Sequence, residues 1–147
     1  MNNCRGIEQI LAEQGVFVST TVGVSMFPML RSRRDTIVVS PCSGRLKKYD
    51  VPLYKRGDDY ILHRIIKVLP DSYVICGDNC TRKEYGITDD QIVGVLTGFY
   101  RAEKKVRMDG VLYQGYVRFW RLLYPSRCLY RRVRTLAGGL LRHFVTP

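Results

Sequence analysis

The chain has 147 residues, of which 46% are hydrophobic and 25% are charged. It is therefore long enough for one globular domain, too short for two, and too apolar to be disordered. The net charge of +11 is concentrated at one end, since residues 1–98 carry 13 Lys/Arg and 11 Asp/Glu whereas residues 99–147 carry 11 Lys/Arg and two Asp/Glu. This basic tail is expected to have a partner of its own.

The start of the chain, MNNCRGIEQILAEQG, lacks the basic and apolar segments of a secretory signal. No stretch approaches the roughly 20 apolar residues of a membrane-spanning helix. We therefore expect a cytoplasmic protein, peripheral at a membrane surface if its tail binds lipid. The five cysteines, an odd number without a regular framework, indicate reduced thiols. No second Cys/His pair stands near Cys76 and Cys80 to complete a zinc site, so we expect neither metal nor cofactor.

The first helix is predicted at Ile7–Gln14, where apolar residues share one face and Gly15 follows as a stop. Runs rich in β-branched and aromatic residues then predict strands at 16–22, 36–40, 51–56, 60–69, 73–76 and 91–100. The Gly57–Asp59 segment is typical of a hairpin turn between the third and fourth of these strands. The prediction is a mainly β domain over residues 1–110 and a helical tail over 111–147.

The tail shows two apolar stripes at helical spacing, separated by Pro125 and flanked by arginines. The stripes consist of Tyr113, Tyr116, Trp120 and Leu123, and then of Leu129, Val133, Leu136 and Leu140. Two interpretations are open: these helices pack on the β domain, or they bind an anionic membrane surface. Nucleic acid is the weaker alternative, because a phosphate-binding groove does not require the leucines.

Ser25 follows a strand in a turn that contains Gly23 and Pro28, and such a turn can expose both a hydroxyl and a backbone N–H. An ordinary loop serine would also suit this segment. His63 makes the catalytic interpretation of Ser25 the stronger one. It is the sole histidine outside the last five residues, and so the sole candidate for a general base at neutral pH. The neighbouring Met26, Phe27 and Pro28 are predicted to line a substrate cleft.

Asp78 follows the 73–76 strand, in a register that would place it opposite Arg64 and within one residue of His63. A carboxylate there can hold the imidazole in one tautomer, which is the third role of a catalytic triad. Glu84, Asp89 and Asp90 are the other candidates for this acid. A Gly-Asp-Asn segment is also a common turn without catalytic meaning.

Five segments together carry a family resemblance. Residues 23–30, GVSMFPML, resemble the S-M-x-P-x-L box of the signal peptidase and LexA-type serine peptidase superfamily. Residues 48–54, KYDVPLY, resemble its following strand box. Residues 62–65, LHRI, are similar to the His-Arg box of the endoplasmic-reticulum, archaeal and SipW-like branch, and residues 77–79 and 92–94 match its Gly-Asp-Asn and Val-Val-Gly boxes.

This resemblance implies the superfamily's folded β-sheet domain, with Ser25 as nucleophile, His63 as base and Asp78 as the acid. Glu84 and Asp90 fall near its other acidic positions. The chain departs from the pattern at Gly23, where many relatives carry a serine that assists the oxyanion hole, which leaves the Ser25 N–H as the donor. The usual N-terminal anchor and the LexA-type DNA-binding domain are not found in the sequence.

The expected function is a serine endopeptidase that cleaves a precursor, signal or leader peptide held in an extended conformation. The alternative is a catalytically silent module of the same fold that binds peptides without cleaving them. A third class of function, membrane-surface or nucleic-acid binding, would depend on the tail.

Overall fold

The computed structural model describes residues 6–143, with side chains assigned as far as residue 135, so Cys4, Leu136 and Leu140 lie outside the described side chains. The elements in chain order are α1 (Ile7–Gln14), β1 (Phe17–Thr20), β2 (Asp35–Ser40), β3 (Pro52–Arg56), β4 (Asp59–Leu62), β5 (Arg64–Val68), β6 (Tyr73–Cys76), β7 (Glu84–Ile87), a 3₁₀ turn (Asp89–Gln91), β8 (Ile92–Arg101), β9 (Lys104–Arg107), α2 (Val111–Leu122) and α3 (Tyr124–His143).

The strands form two antiparallel sheets. The larger one has the order β1-β2-β8-β3-β4, with β9 added on β8, and the smaller one has the order β5-β6-β7. The prediction of a mainly β protein with a short N-terminal helix and a helical C-terminal segment is confirmed. The finer expectation, a signal-peptidase-like arrangement of these strands, stays a prediction.

The predicted strand 60–69 is wrong in one respect, because the chain breaks at His63 into β4 and β5. β4 pairs with β3 in the larger sheet, whereas β5 pairs with β6 in the smaller one. One continuous apolar run therefore contributes a strand to each of the two sheets, and His63 lies where the chain passes from one sheet to the other. The strands β7 and β9 were not predicted, since both are short and carry few β-branched residues.

The helices α1 and α2 both pack on the β domain. α1 begins and ends at the predicted residues, and Gly15 closes it in the left-handed region (φ 69°) with its N–H bonded to the Leu11 carbonyl at 2.9 Å. Tyr113 and Val117 of α2 are buried in the larger hydrophobic cluster. That cluster consists of Leu11, Met26, Met29, Leu30, Ile37, Val39, Val51, Leu53, Leu96, Phe99, Tyr113 and Val117.

A second hydrophobic cluster lies under the smaller sheet and consists of Leu46, Tyr54, Ile65, Tyr73, Ile75 and Ile87. Tyr54 belongs to β3 of the larger sheet, whereas Ile65, Tyr73 and Ile75 belong to β5 and β6. This cluster therefore joins the two sheets. The contact between the two sheets holds the segment around His63 in place.

Candidate active site

A cavity of about 470 Å³, which we call the main cleft, has both Ser25 and His63 in its wall. One side is formed by Ser19 and Thr20 of β1, and another by residues 60–62 of β4. Within the described residues β1 pairs with β2 alone and β4 with β3 alone, so two free strand edges of the curled sheet border the cleft.

The turn that carries Ser25 is held from two sides. Below it, Met26, Met29 and Leu30 are buried in the larger cluster. Beside it, the backbone N–H of Asn79 donates to the Ser25 carbonyl at 2.7 Å, and the Asn79 side-chain amide donates to the Val24 carbonyl at 3.1 Å. The half-buried Ser25 side chain therefore projects from a turn with little freedom to move.

His63 is buried, with 8% of its surface exposed, and its two ring nitrogens face different surroundings. Nδ1 lies 3.1 Å from Glu84 Oε1 and 3.3 Å from the Tyr54 hydroxyl. Burial lowers the pKa of His63, while the charge of Glu84 opposes that shift. The imidazole is therefore neutral at pH 7 and, with Nδ1–H donating to Glu84, presents an unprotonated Nε2.

Nε2 points to the corner where Gly77 meets the Ser25 turn. A Cβ atom placed on Gly77 would lie 3.0 Å from His63 Nε2, 2.7 Å from the Ser25 carbonyl oxygen and 2.8 Å from Cys80 Sγ. The serine turn and the reactive nitrogen thus approach the same glycine. In the described part of the chain no hydrogen bond joins Ser25 Oγ to Nε2, a common state for substrate-free catalytic pairs, whose hydrogen bonds tighten when substrate binds.

Gly77→Ala should abolish any activity of this cleft while the protein remains folded. The added methyl overlaps backbone and imidazole atoms, and such overpacking costs roughly 1–3 kcal/mol. Gly94→Ala is the matched control, because its Cβ would meet Val39 Cγ1 at 2.7 Å and the Ser40 carbonyl at 2.9 Å, away from the cleft. Equal activity of the two variants at equal thermal stability would contradict this prediction.

Asp78 does not face His63. Its carboxylate accepts two hydrogen bonds from Arg64, one from Nε and one from a terminal nitrogen, both at 2.8 Å. The expected strand register was wrong by two residues, since Arg64 pairs with Cys76, and a register irregularity follows between Ile65 and Lys67. Asp78 therefore lies just beyond the end of β6, where it meets the Arg64 side chain.

The Arg64 guanidinium is almost fully buried, with 1% exposure, and bonds several parts of the molecule. Besides Asp78 it donates to the Tyr49 carbonyl at 3.0 Å and to the Tyr113 hydroxyl of α2 at 2.8 Å. Burial lowers its pKa, but the hydrogen bond and charge of Asp78 outweigh that effect and raise the pKa overall. The Arg64–Asp78 pair therefore links β5 to the loop that carries Tyr49 and to α2.

Of the other acids, Glu84 is the one that reaches the imidazole. It begins β7, and its second carboxylate oxygen lies 3.2 Å from Arg56. Asp89 instead bonds Arg45 and Tyr73, and Asp90 is exposed in the 3₁₀ turn without a contact to His63. In the sequence Glu84 was signalled by its acidic side chain and by its position near a second acidic position of the resembled family, whereas β7 itself could not be recognised there.

The three predicted cleft residues separate in the structure. Met26 lines the main cavity and is buried. Phe27 is 49% exposed and lines a neighbouring, smaller cavity instead. Pro28 is half-buried and follows a cis peptide bond, and it lines neither cavity.

The helical tail holds the loop that follows β6. The Asp78 carbonyl accepts hydrogen bonds from the Trp120 indole at 2.9 Å and from Arg127 at 2.6 Å, and the Tyr124 hydroxyl donates to the Thr81 carbonyl at 2.6 Å. This packing agrees with the first of the two interpretations of the tail. Its outward face nevertheless exposes apolar side chains at Val111, Leu112, Phe119, Leu122, Leu129, Tyr130 and Val133.

A search of the described residues finds no helix with the length and hydropathy needed to cross a membrane. Nor do these residues group three or more His, Cys, Asp or Glu side chains as a metal site would require. Cys42, Cys76, Cys80 and Cys128 are free thiols. Contact of the tail with an anionic membrane stays a prediction.

Comparison of the chain with protein-family models, with curated proteins and with solved structures gives no match. The resemblance to the signal peptidase and LexA-type superfamily therefore rests on the five sequence segments alone, and the function is inferred from the geometry of the cleft.

Proposed function

We propose that this protein is a serine endopeptidase in which Ser25 is the nucleophile, His63 the general base and Glu84 the acid that orients His63. The observation that carries the proposal is the orientation of one imidazole, with Nδ1 fixed by Glu84 and Nε2 directed at the Ser25 turn across Gly77. Asp78, expected as the orienting acid, is assigned the structural role of holding Arg64.

In the proposed reaction Ser25 Oγ attacks the carbonyl carbon of the scissile peptide bond while its proton passes to His63 Nε2. The Ser25 backbone N–H donates to the developing oxyanion. The imidazolium then gives the proton to the leaving amine, and the C–N bond breaks to leave an acyl-enzyme. A water molecule, deprotonated by Nε2, hydrolyses the ester and restores the serine hydroxyl.

The substrate is proposed to bind as an extended strand. Backbone groups at the exposed edges of β1 and β4 border the cleft, and an added peptide strand can pair with such an edge. Strand addition uses main-chain hydrogen bonds, so it accepts many sequences, and selectivity then depends on the cavities beside Ser25. This mode supports a precursor or leader peptide as substrate rather than a folded protein.

The proposal is tested by the pH dependence of kcat/KM for a peptide that the full chain cleaves, found by mass spectrometry of a peptide-library digest. Because burial lowers the pKa of His63, activity should rise with pH and reach half its maximum below the ordinary histidine value of about 6.5. Glu84→Gln should move this midpoint to still lower pH, since the Glu84 charge raises the His63 pKa, and should reduce kcat roughly 10- to 100-fold.

Glu103→Gln is the matched control, because it removes one carboxylate from an exposed residue outside the cleft. It should leave both the midpoint and kcat unchanged. A midpoint that does not move in Glu84→Gln would show that another group orients the base.

A further inference from the structure

Two more cavities lie along α3, next to the main cleft. The smaller, of about 190 Å³, has an aromatic wall that includes Phe27 of the Ser25 turn and Trp120 of α2. The larger, of about 690 Å³, opens beyond it between α3 and the loop after β6. The two cavities share Thr81, Cys128 and Arg131, and the smaller one shares Cys80 with the main cleft, so each cavity adjoins the next.

The two cavities form what we call the arginine groove, since four arginines line it: Arg82, Arg127, Arg131 and Arg132. No Asp or Glu lines either cavity. Within the described side chains none of these four arginines forms a salt bridge with a carboxylate. The groove therefore carries positive charge that the protein itself does not neutralise.

The hydrogen bonds of the groove arginines go to uncharged carbonyl oxygens, so they do not neutralise this positive charge. Arg127 donates to the carbonyls of Asp78 and Trp120, at 2.6 and 3.1 Å, and Arg131 donates to the side-chain carbonyl of Asn79. Burial and, second to it, the neighbouring charge of Arg121 lower the pKa of Arg127, which reflects the cost of holding this cation partly out of water and beside another cation. An anionic ligand would offset that cost, and guanidinium groups bind carboxylates in a planar, two-point geometry.

The shape of the groove favours a peptide over the other polyanions. It is concave, begins beside the serine turn and has stacked Trp120 and Arg127 in its floor, where the Arg127 guanidinium lies 4.0 Å from the indole centroid. A bilayer would instead meet exposed apolar side chains, such as Leu112 and Leu122, which lie outside the groove. A single extended chain that crosses the main cleft can continue directly into the groove.

We propose that the arginine groove binds an acidic segment of the same peptide that is cleaved at Ser25. This inference rests on the proposed peptidase function and narrows its substrate class to precursors with several Asp or Glu residues on one side of the scissile bond. The main cleft holds the apolar segment, and the groove selects the charge of the segment beside it.

The test uses the full chain carrying Ser25→Ala and two fluorescein-labelled peptides that share an apolar half and differ in having four Glu or four Gln in the other half. Fluorescence anisotropy at low salt should give a Kd about 10-fold lower for the Glu peptide, a difference that falls at high salt. Arg82→Gln with Arg132→Gln should reduce the difference to less than about 3-fold, because both side chains line the groove and make no hydrogen bond within the described residues.

The matched control is Arg118→Gln with Arg134→Gln, which removes the same charge from exposed positions outside the groove and should leave the difference intact. Equal affinity for the two peptides would overturn the inference and leave the peptidase proposal standing. Loss of binding to phosphatidylglycerol vesicles or to a polyuridine RNA in the groove variant, with peptide affinity unchanged, would also overturn it. If the unmodified chain prefers the Glu peptide but cleaves no peptide, the peptidase proposal is refuted while the acidic-peptide site stands.

Discussion

Ser25→Ala is expected to lower kcat for peptide cleavage roughly 10⁴- to 10⁶-fold, because the residual rate then depends on binding and the oxyanion donor alone. His63→Ala should cause a loss of the same order. The double variant should be no slower than either single one, since nucleophile and base act as one unit. The measurement is single-turnover cleavage of a peptide identified in the library digest.

Ser19→Ala is the matched control, because Ser19 lines the same cavity but is not the proposed nucleophile, and it should retain full activity. Peptide affinity of the Ser25→Ala variant should stay close to that of the unmodified chain. If the unmodified chain binds peptides as Ser25→Ala does and cleaves none of them, the silent peptide-binding module is the correct function. Cleavage that survives both substitutions would refute the Ser25/His63 site.

Arg64→Met should lower the free energy of unfolding by about 3–5 kcal/mol, because it leaves the Asp78 carboxylate buried without its cation. The expected loss is large because Arg64 also bonds Tyr49 and Tyr113, which anchor a loop and α2. Urea unfolding followed by fluorescence of Trp120, the single tryptophan, measures it, since the indole donates to the Asp78 carbonyl.

The double variant Arg64→Met with Asp78→Leu should be less destabilised than Arg64→Met alone, because no unpaired charge then remains inside. Arg107→Ala is the surface control: its pair with Asp109 is exposed to solvent, so its loss should leave the urea unfolding midpoint almost unchanged. If the double variant is less stable than Arg64→Met, the destabilisation does not come from the unpaired Asp78 charge buried in the protein. If Arg64→Met fails to fold at all, Asp78→Asn, which keeps the shape of the side chain, gives the same comparison.

Local patterns were sufficient for much of the fold. Ile7–Gln14 and the strand Tyr73–Cys76 lie at their predicted residues, and the Gly57–Asp58 turn joins β3 to β4 as the hairpin signal indicated. The helices α2 and α3 meet next to Pro125, which occupies the first turn of α3 where a missing N–H has no cost.

The acid beside His63 could not be found in this way, because it depends on long-range register. The register of β5 and β6 differs by two residues from the expected one, and the Asp78 carboxylate, just beyond the end of β6, pairs with the Arg64 side chain. β7 then brings Glu84 next to the imidazole, and β7 contains Gly86 in the left-handed region (φ 75°), which hides it from any strand pattern. The division of residues 59–68 between two sheets likewise depends on tertiary packing that no local propensity encodes.

The loop that follows β6 has its anchors late in the chain, and this has a consequence for biosynthesis. The Asp78 carbonyl accepts hydrogen bonds from the Trp120 indole and from the Arg127 guanidinium. Arg64 donates a hydrogen bond to the Tyr113 hydroxyl. A ribosome releases these residues only after both sheets have emerged. A nascent chain therefore has its serine turn and histidine before it has the helices that brace the loop after β6, and the cleft reaches its final geometry only after α2 and the start of α3 have been made.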